Sequence, residues 1–131
     1  MSVKSSVSLY WRIFKNKYSL VGTECKICQK VFFPPMRYCN ECSNQTTERP
    51  FVGKGTIESV TTIHSAPEGF EHLVPYHIGL VRLDEGPVIS AQIVGSVDNS
   101  ALNKKVRVVF RKTFVDKHAG IIHYGFKFEI I

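Results

Sequence analysis

The chain has 131 residues, of which 44% are hydrophobic and 21% charged, and a formal net charge of +6. That balance excludes a low-complexity or disordered chain. It fits either one compact domain or a small metal-stapled module joined to a second domain with a modest core. No apolar run is long enough to cross a bilayer, and Met1 to Lys17 holds neither a continuous apolar stretch nor a small-residue cleavage site. The sequence therefore predicts a soluble, cytoplasmic protein with no membrane partner.

The charge is unevenly placed, with net +5 over residues 1–50 and +1 over residues 51–131. A positive N-terminal field suits an acidic protein, a phosphorylated ligand or nucleic acid, and solubility alone would also account for it.

Residues 1–19 are predicted to form a helical segment. Ser6 can cap a helix running to about Lys17, in which Val7, Tyr10, Trp11, Phe14 and Tyr18 recur mostly at three- and four-residue steps. Such an aromatic stripe either packs against the rest of the chain or meets another protein, and Tyr10, Trp11 and Phe14 are candidate partner-interface residues.

Residues 20–51 contain all four cysteines, as Cys25-Lys26-Ile27-Cys28 and Cys39-Asn40-Glu41-Cys42, with ten residues between the pairs. Each C-x-x-C can fold into a knuckle that aims two thiolates at one ion, and two knuckles close a tetrahedral shell with no open position. In a reducing compartment this pattern reads as a metal site rather than disulfides. The prediction is a rubredoxin-like four-cysteine zinc ribbon with one structural Zn2+ per chain, iron being the alternative metal. Between the knuckles, Val31-Phe32-Phe33-Pro34-Pro35 cannot continue a helix. Its two phenylalanines exceed what a ribbon can bury, so they either dock it onto a neighbour or line a groove between modules.

Residues 52–131 change to period two. Lys54 to Ile63 reads as a long strand whose apolar phase slips between Ile57 and Val60, as at a bulge. Tyr76 to Leu83 and Val88 to Val94 flank Asp84-Glu85-Gly86-Pro87 as a hairpin. Lys105 to Lys112 alternates Val106, Val108 and Phe110 against Lys105, Arg107 and Arg111. Ile122 to Ile131 sets Tyr124, Phe126, Phe128 and Ile130 against His123, Lys127 and Glu129. Five strands of this kind predict a small OB-fold barrel, so the whole chain is predicted to be mainly β. The loop Ser65 to Pro75, rich in Pro, Gly, Glu and His, falls on the ligand side of such a barrel, where His64 and His72 are further candidates for a partner interface.

Trp11-Arg12, Tyr18, Gly22, the two C-x-x-C pairs, Phe33-Pro34-Pro35, Gly53-Lys54-Gly55, Pro75-Tyr76, Leu83-Asp84-Glu85-Gly86 and Gly125-Phe126-Lys127-Phe128 follow one another in a telling order. By these residues the chain resembles a family of zinc-ribbon plus OB-fold proteins, formerly a domain of unknown function and now described as acyl-CoA-associated. Two positions depart from the family pattern: Gln29, where such knuckles often have glycine, and Met36, where the family usually has arginine. The resemblance implies a non-catalytic partner of thiolase-superfamily enzymes. Archaeal members are similar to the bridge between acetoacetyl-CoA thiolase and hydroxymethylglutaryl-CoA synthase.

The residues themselves are compatible with that role. Five histidines (His64, His72, His77, His118, His123) and scattered carboxylates are present, but no nucleophile or phosphate-loop motif appears and every cysteine is committed to metal, so catalysis by the chain alone is not expected. A CoA receptor needs a few cations, a stacking surface and an apolar channel. Lys105, Arg107 and Arg111 on one strand face, with Phe32 and Phe33 of the ribbon, are the candidate CoA or acyl-CoA contacts. The bland alternative is that these cations are the solvent side of an amphipathic strand. A rival function, binding RNA or single-stranded DNA through the barrel, fits the pI of about 9.3. It fits less well with the tyrosine and phenylalanines of the last strand, whose phase points to the barrel interior.

Overall fold

The computed structural model describes Ser8, Trp11, Arg12 and residues 19–98, 100–115 and 122–131. Most of the predicted N-terminal helix, including Tyr10 and Phe14, lies outside the described residues. Ser8, Trp11 and Arg12 have helical backbone, and Trp11 is exposed.

A three-stranded antiparallel sheet comes first: β1 (Val21–Glu24), β2 (Val31–Phe32) and β3 (Thr47–Pro50), in the order β2-β1-β3. The strands are short because cysteine knuckles interrupt them, one between β1 and β2 and the other between β2 and β3. Gly22 sits where the sheet meets its cover. A Cβ there would lie 2.3 Å from the Phe32 carbonyl oxygen and 2.5 Å from the Phe51 ring, so no larger residue fits.

The remaining strands close a barrel: β4 (Lys54–Ile63), β5 (Tyr76–Leu83), β6 (Val88–Val94), β7 (Lys105–Val115) and β8 (Ile122–Ile130), in the order β4-β5-β6-β8-β7. All neighbours are antiparallel except β6 and β8, which meet in parallel at Ile93↔Phe128 and Val94↔Glu129. Closure removes the open edges that would invite pairing with other chains. The predicted slip in β4 is a register shift between Ile57 and Ser59. There the backbone of Ile57 is satisfied by the incoming loop: its N–H donates to Lys104 O (3.1 Å), and its carbonyl accepts from Asn103 N–H (2.9 Å). The β5–β6 turn closes with Gly86 N–H donating to Leu83 O at 2.9 Å.

The core is continuous and apolar: Leu20, Ile57, Val81, Leu83, Ile89, Ile93, Ala101, Val106 and Phe128 are buried. Fully burying side chains of this size contributes about 1.5–3 kcal/mol each. Ala101 belongs to a loop rather than a strand, and nothing in the strand periodicity marked it as core. Phe33 and Phe51 pack against this core from the ribbon side. Phe33 lies 6.1 Å, centroid to centroid, from both Phe51 and Phe126, so it joins the ribbon to the barrel.

The last two strands depart from the sequence reading in extent. β7 runs on to Val115, and it pairs with β4 only from Lys105 to Arg107, while β6 touches β8 only near Phe128. Beyond those rungs β7 and β8 pair chiefly with each other and leave the barrel wall. Val106 and Phe128 are therefore sealed, whereas Phe110 is 51% and Tyr124 39% exposed, stacked at 5.4 Å and 10°. The expected alternation holds, but Tyr124 does not enter the interior. Lys127 corrects the reading in the other direction: placed by periodicity on a polar face, it is buried.

Candidate metal centre and cation face

The two knuckles are built alike. Cys25 N–H donates to Lys30 O at 2.8 Å, and Cys39 N–H donates to Asn44 O at 2.9 Å, so each turn closes over six residues that contain both of its cysteines. The residue after each second cysteine takes the left-handed conformation, with φ of 60° at Gln29 and 57° at Ser43. That explains why glycine is common there. Gln29 and Ser43 each adopt a geometry that costs a side-chain-bearing residue about 1–3 kcal/mol. Around Ser43 the backbone is held by a Tyr38–Gln45 bridge across the second knuckle and by Thr46 N–H donating to Arg37 O at 3.0 Å.

The result is a cluster of four Sγ atoms, all within 4.8 Å of one another. Cys25 and Cys42 are 3.2 Å apart, Cys28 and Cys39 3.3 Å, and Cys42 and Cys28 3.8 Å, all too long for disulfides. Four thiolates about 2.3 Å from a central ion would stand about 3.8 Å apart. The donor set and its spacing therefore suit one four-coordinate metal ion with no position left for substrate.

The electrostatics point the same way. Hydrogen bonds from the Asn44 side chain and backbone pull the Cys42 thiol down to about 6. The Lys30 backbone also pulls on Cys28, but hydrogen bonding with Cys39, burial, and the sulfurs of Cys25 and Cys42 together push Cys28 up to about 12. Sulfurs this close compete for negative charge, and a cation held between them would relieve that competition. An ion pair between Lys30 and Glu41 ties the two knuckles together at the surface.

The candidate CoA residues are spread over two places. Phe32 is half-buried in β2 opposite Thr23, and Phe33 is spent on the ribbon–barrel junction. Lys105, Arg107 and Arg111 share a face of β7, but two are already engaged. Lys105 Nζ is 3.8 Å from Asp84, and Arg107 donates to Glu129 at 2.9 and 3.2 Å. Arg111 has no anionic partner among the described residues. Register places Lys127 on that same face, and its ammonium is held below the usual lysine range, first by burial and then by the charge of Arg111. Lys127 was missed because alternation reports the face of a strand but not how deeply the face is covered.

His64, at the end of β4, and His72, in the short 3-10 turn Glu71–Leu73, are both exposed on the β4–β5 loop. That loop carries its own packing, Phe70 against Tyr76 at 6.3 Å.

Residues 48–111 match the family model of the ChsH2 C-terminal OB-fold domain. A DUF35 domain-containing scaffold protein from Methanocaldococcus jannaschii is 37% identical over 124 residues, covering 92% of this chain and 88% of its own. One of the same description from Pyrococcus furiosus is 37% identical over 134 residues, covering 100% and 97%. Among solved structures, the Ltp2-ChsH2(DUF35) aldolase aligns with a TM-score of 0.67 at 20% identity, over 99% of this chain and 98% of that one. A DUF35-family protein of unknown function from Sulfolobus solfataricus aligns with a TM-score of 0.57 at 17% identity, over 95% and 83%. With a four-cysteine ribbon packed on a closed five-stranded barrel, and relatives of this identity across nearly its whole length, the chain belongs to the DUF35 family.

Proposed function

We propose that the protein is a non-catalytic, zinc-containing scaffold subunit that holds a thiolase-superfamily enzyme and offers a surface to its CoA or acyl-CoA ligand. In the form that the resemblance implies for archaeal members, it bridges acetoacetyl-CoA thiolase and hydroxymethylglutaryl-CoA synthase. The observation that carries this reading is the near full-length match to proteins described as scaffolds. The use of all four cysteines in one closed cluster supports it, since no thiol is left for acyl transfer. A ribbon module, residues 20–51, and a barrel module, residues 52–131, would together form the adaptor, with residues 1–19 and the exposed His64 and His72 as docking elements.

Zinc would be held by Cys25, Cys28, Cys39 and Cys42, and its contribution is to fold the ribbon. The chain's own residues supply the rest: Phe33 fixes the ribbon on the barrel, and the β7 cations face outward. The test is reconstitution. Purified thiolase and synthase from the same organism should co-elute from a sizing column only when this protein is added, and the protein alone should turn over no acyl-CoA. Elution of both enzymes unchanged in its presence would overturn the reading.

Single-stranded nucleic acid binding is the second reading. It draws on the exposed Phe110–Tyr124 stack, with Lys112 opposite Tyr124 on the same strand face. Affinity for an RNA oligomer that is tighter than for any CoA ester, and that falls steeply with salt, would favour it.

A further inference from the structure

We propose that Arg111 and Lys127 form a subsite for a phosphate monoester on the outer face of the β7–β8 ladder. The register sets out three rungs on that face: Arg107 opposite Glu129, Val109 opposite Lys127, and Arg111 opposite Gly125. The first rung is internally neutral, because the Glu129 carboxylate is taken by two hydrogen bonds from Arg107. The second rung supplies no counter-charge to Lys127, and the third sets against Arg111 a glycine, which has no side chain to pair with it. Two positive charges thus adjoin each other, and among the described residues neither has a carboxylate of its own.

Lys127 makes this more than a solvated strand face. At 6% exposure it is the one buried charged side chain among the described residues. An ammonium placed there pays for desolvation and for repulsion by Arg111, and its pKa is lowered by both. In the proposed subsite the buried part of the lysine is its stem, and the ammonium is the atom that the ligand reaches.

The chemistry of the pair selects the ligand. A guanidinium offers a planar fork to two oxygens, and an ammonium adds a point charge. Two cations are balanced by a dianion, whereas a carboxylate would leave one of them uncompensated. A phosphate monoester carries that charge near neutral pH and has three oxygens to share. This inference rests on the CoA reading above, because the 3′-phosphate of CoA is such a group and the phosphoanhydride of the same molecule is not.

The test is calorimetric titration of the full-length protein, its Lys127→Met and Arg111→Gln variants, with CoA, dephospho-CoA and inorganic phosphate as probes. The wild type should bind CoA at least tenfold more tightly than dephospho-CoA, and each variant should reduce that preference to within about twofold. Lys127→Met should melt no lower than the wild type, since it removes a buried unpaired charge, so lost binding would not reflect misfolding. Equal affinity for the two esters, CoA binding unchanged in both variants, or no binding of either CoA or phosphate by the wild type would each overturn the subsite. CoA binding that ignores both substitutions would leave the scaffold reading standing without it. Phosphate binding lost in the variants, with CoA not bound at all, would uphold the subsite and sink its assignment to CoA.

Discussion

The Val52 backbone N–H donates a 2.7 Å hydrogen bond to Glu85 Oε1, so the β5–β6 turn grips the three-residue linker, residues 51–53, that joins the ribbon sheet to the barrel. The other oxygen, Glu85 Oε2, is buried without a partner, which makes this contact a constraint on geometry more than a large source of stability. Glu85→Ala should lower stability by about 1–2 kcal/mol and raise hydrogen exchange at the Val52 amide. Unchanged exchange at Val52 would mean that the linker is held by packing alone.

Gly53, the next residue, is required twice over. Its φ is +83°, and a Cβ would lie 2.2 Å from Val108 Cγ1, in the strand whose N–H donates to Gly53 O at 2.7 Å. Gly53→Ala should cost about 2–4 kcal/mol in urea unfolding, from left-handed strain plus overpacking. A loss under about 1 kcal/mol would show that β7 can retreat.

Phe33 reaches from the ribbon to rings on both sides, Phe51 and Phe126. Phe33→Ala should cost about 2–3 kcal/mol, below the usual range for a fully buried ring because this one is half-buried. Phe33→Leu should recover most of that. Protease sensitivity confined to residues 20–51 would locate the damage in ribbon docking, and general sensitivity would argue for a wider role in the core.

Metal content should be about one zinc per chain, and chelation should release it together with the ribbon's ordered signals while the barrel stays folded. Cys39→Ser should do the same without a chelator. Freshly purified protein holding well under half an equivalent of any metal would contradict this.

Asp98 is held below the usual carboxylate range, chiefly by the Ser100 hydroxyl (2.5 Å) and N–H (2.9 Å), with help from Lys104. A depressed folded-state pKa stabilises the protein above the unfolded value of about 4, and that contribution is lost as pH falls through the folded value. Asp98→Asn should therefore flatten part of the acid limb of the stability curve. It should leave neutral-pH binding intact, and an identical acid limb in the variant would assign the effect to other carboxylates.

Much of this molecule follows from local rules that its residues obey singly. The C-x-x-C spacing, the period-two runs from Lys54 to Ile63, from Tyr76 to Leu83 and from Val88 to Val94, the Asp84-Glu85-Gly86-Pro87 turn and the slip after Ile57 are all short-range patterns. Each constrains backbone within a few residues, so the chain announces them without reference to its partners in space. The family resemblance was legible for the same reason, because it rests on turns, knuckles and glycines in fixed order.

Tertiary structure alone decided which members of each pattern would be covered. Phe128 and Tyr124 occupy the same face of one strand, yet one is sealed and the other exposed, because the barrel wall ends between them. Arg107 and Arg111 look equivalent in the chain, but Glu129 lies across from the first and Gly125 across from the second. Lys127 reads as an ordinary outward lysine and is buried. Burial and charge pairing are properties of the space between distant segments, set by where strands begin and cease to pair, and one-dimensional periodicity carries the face of a residue but not its depth.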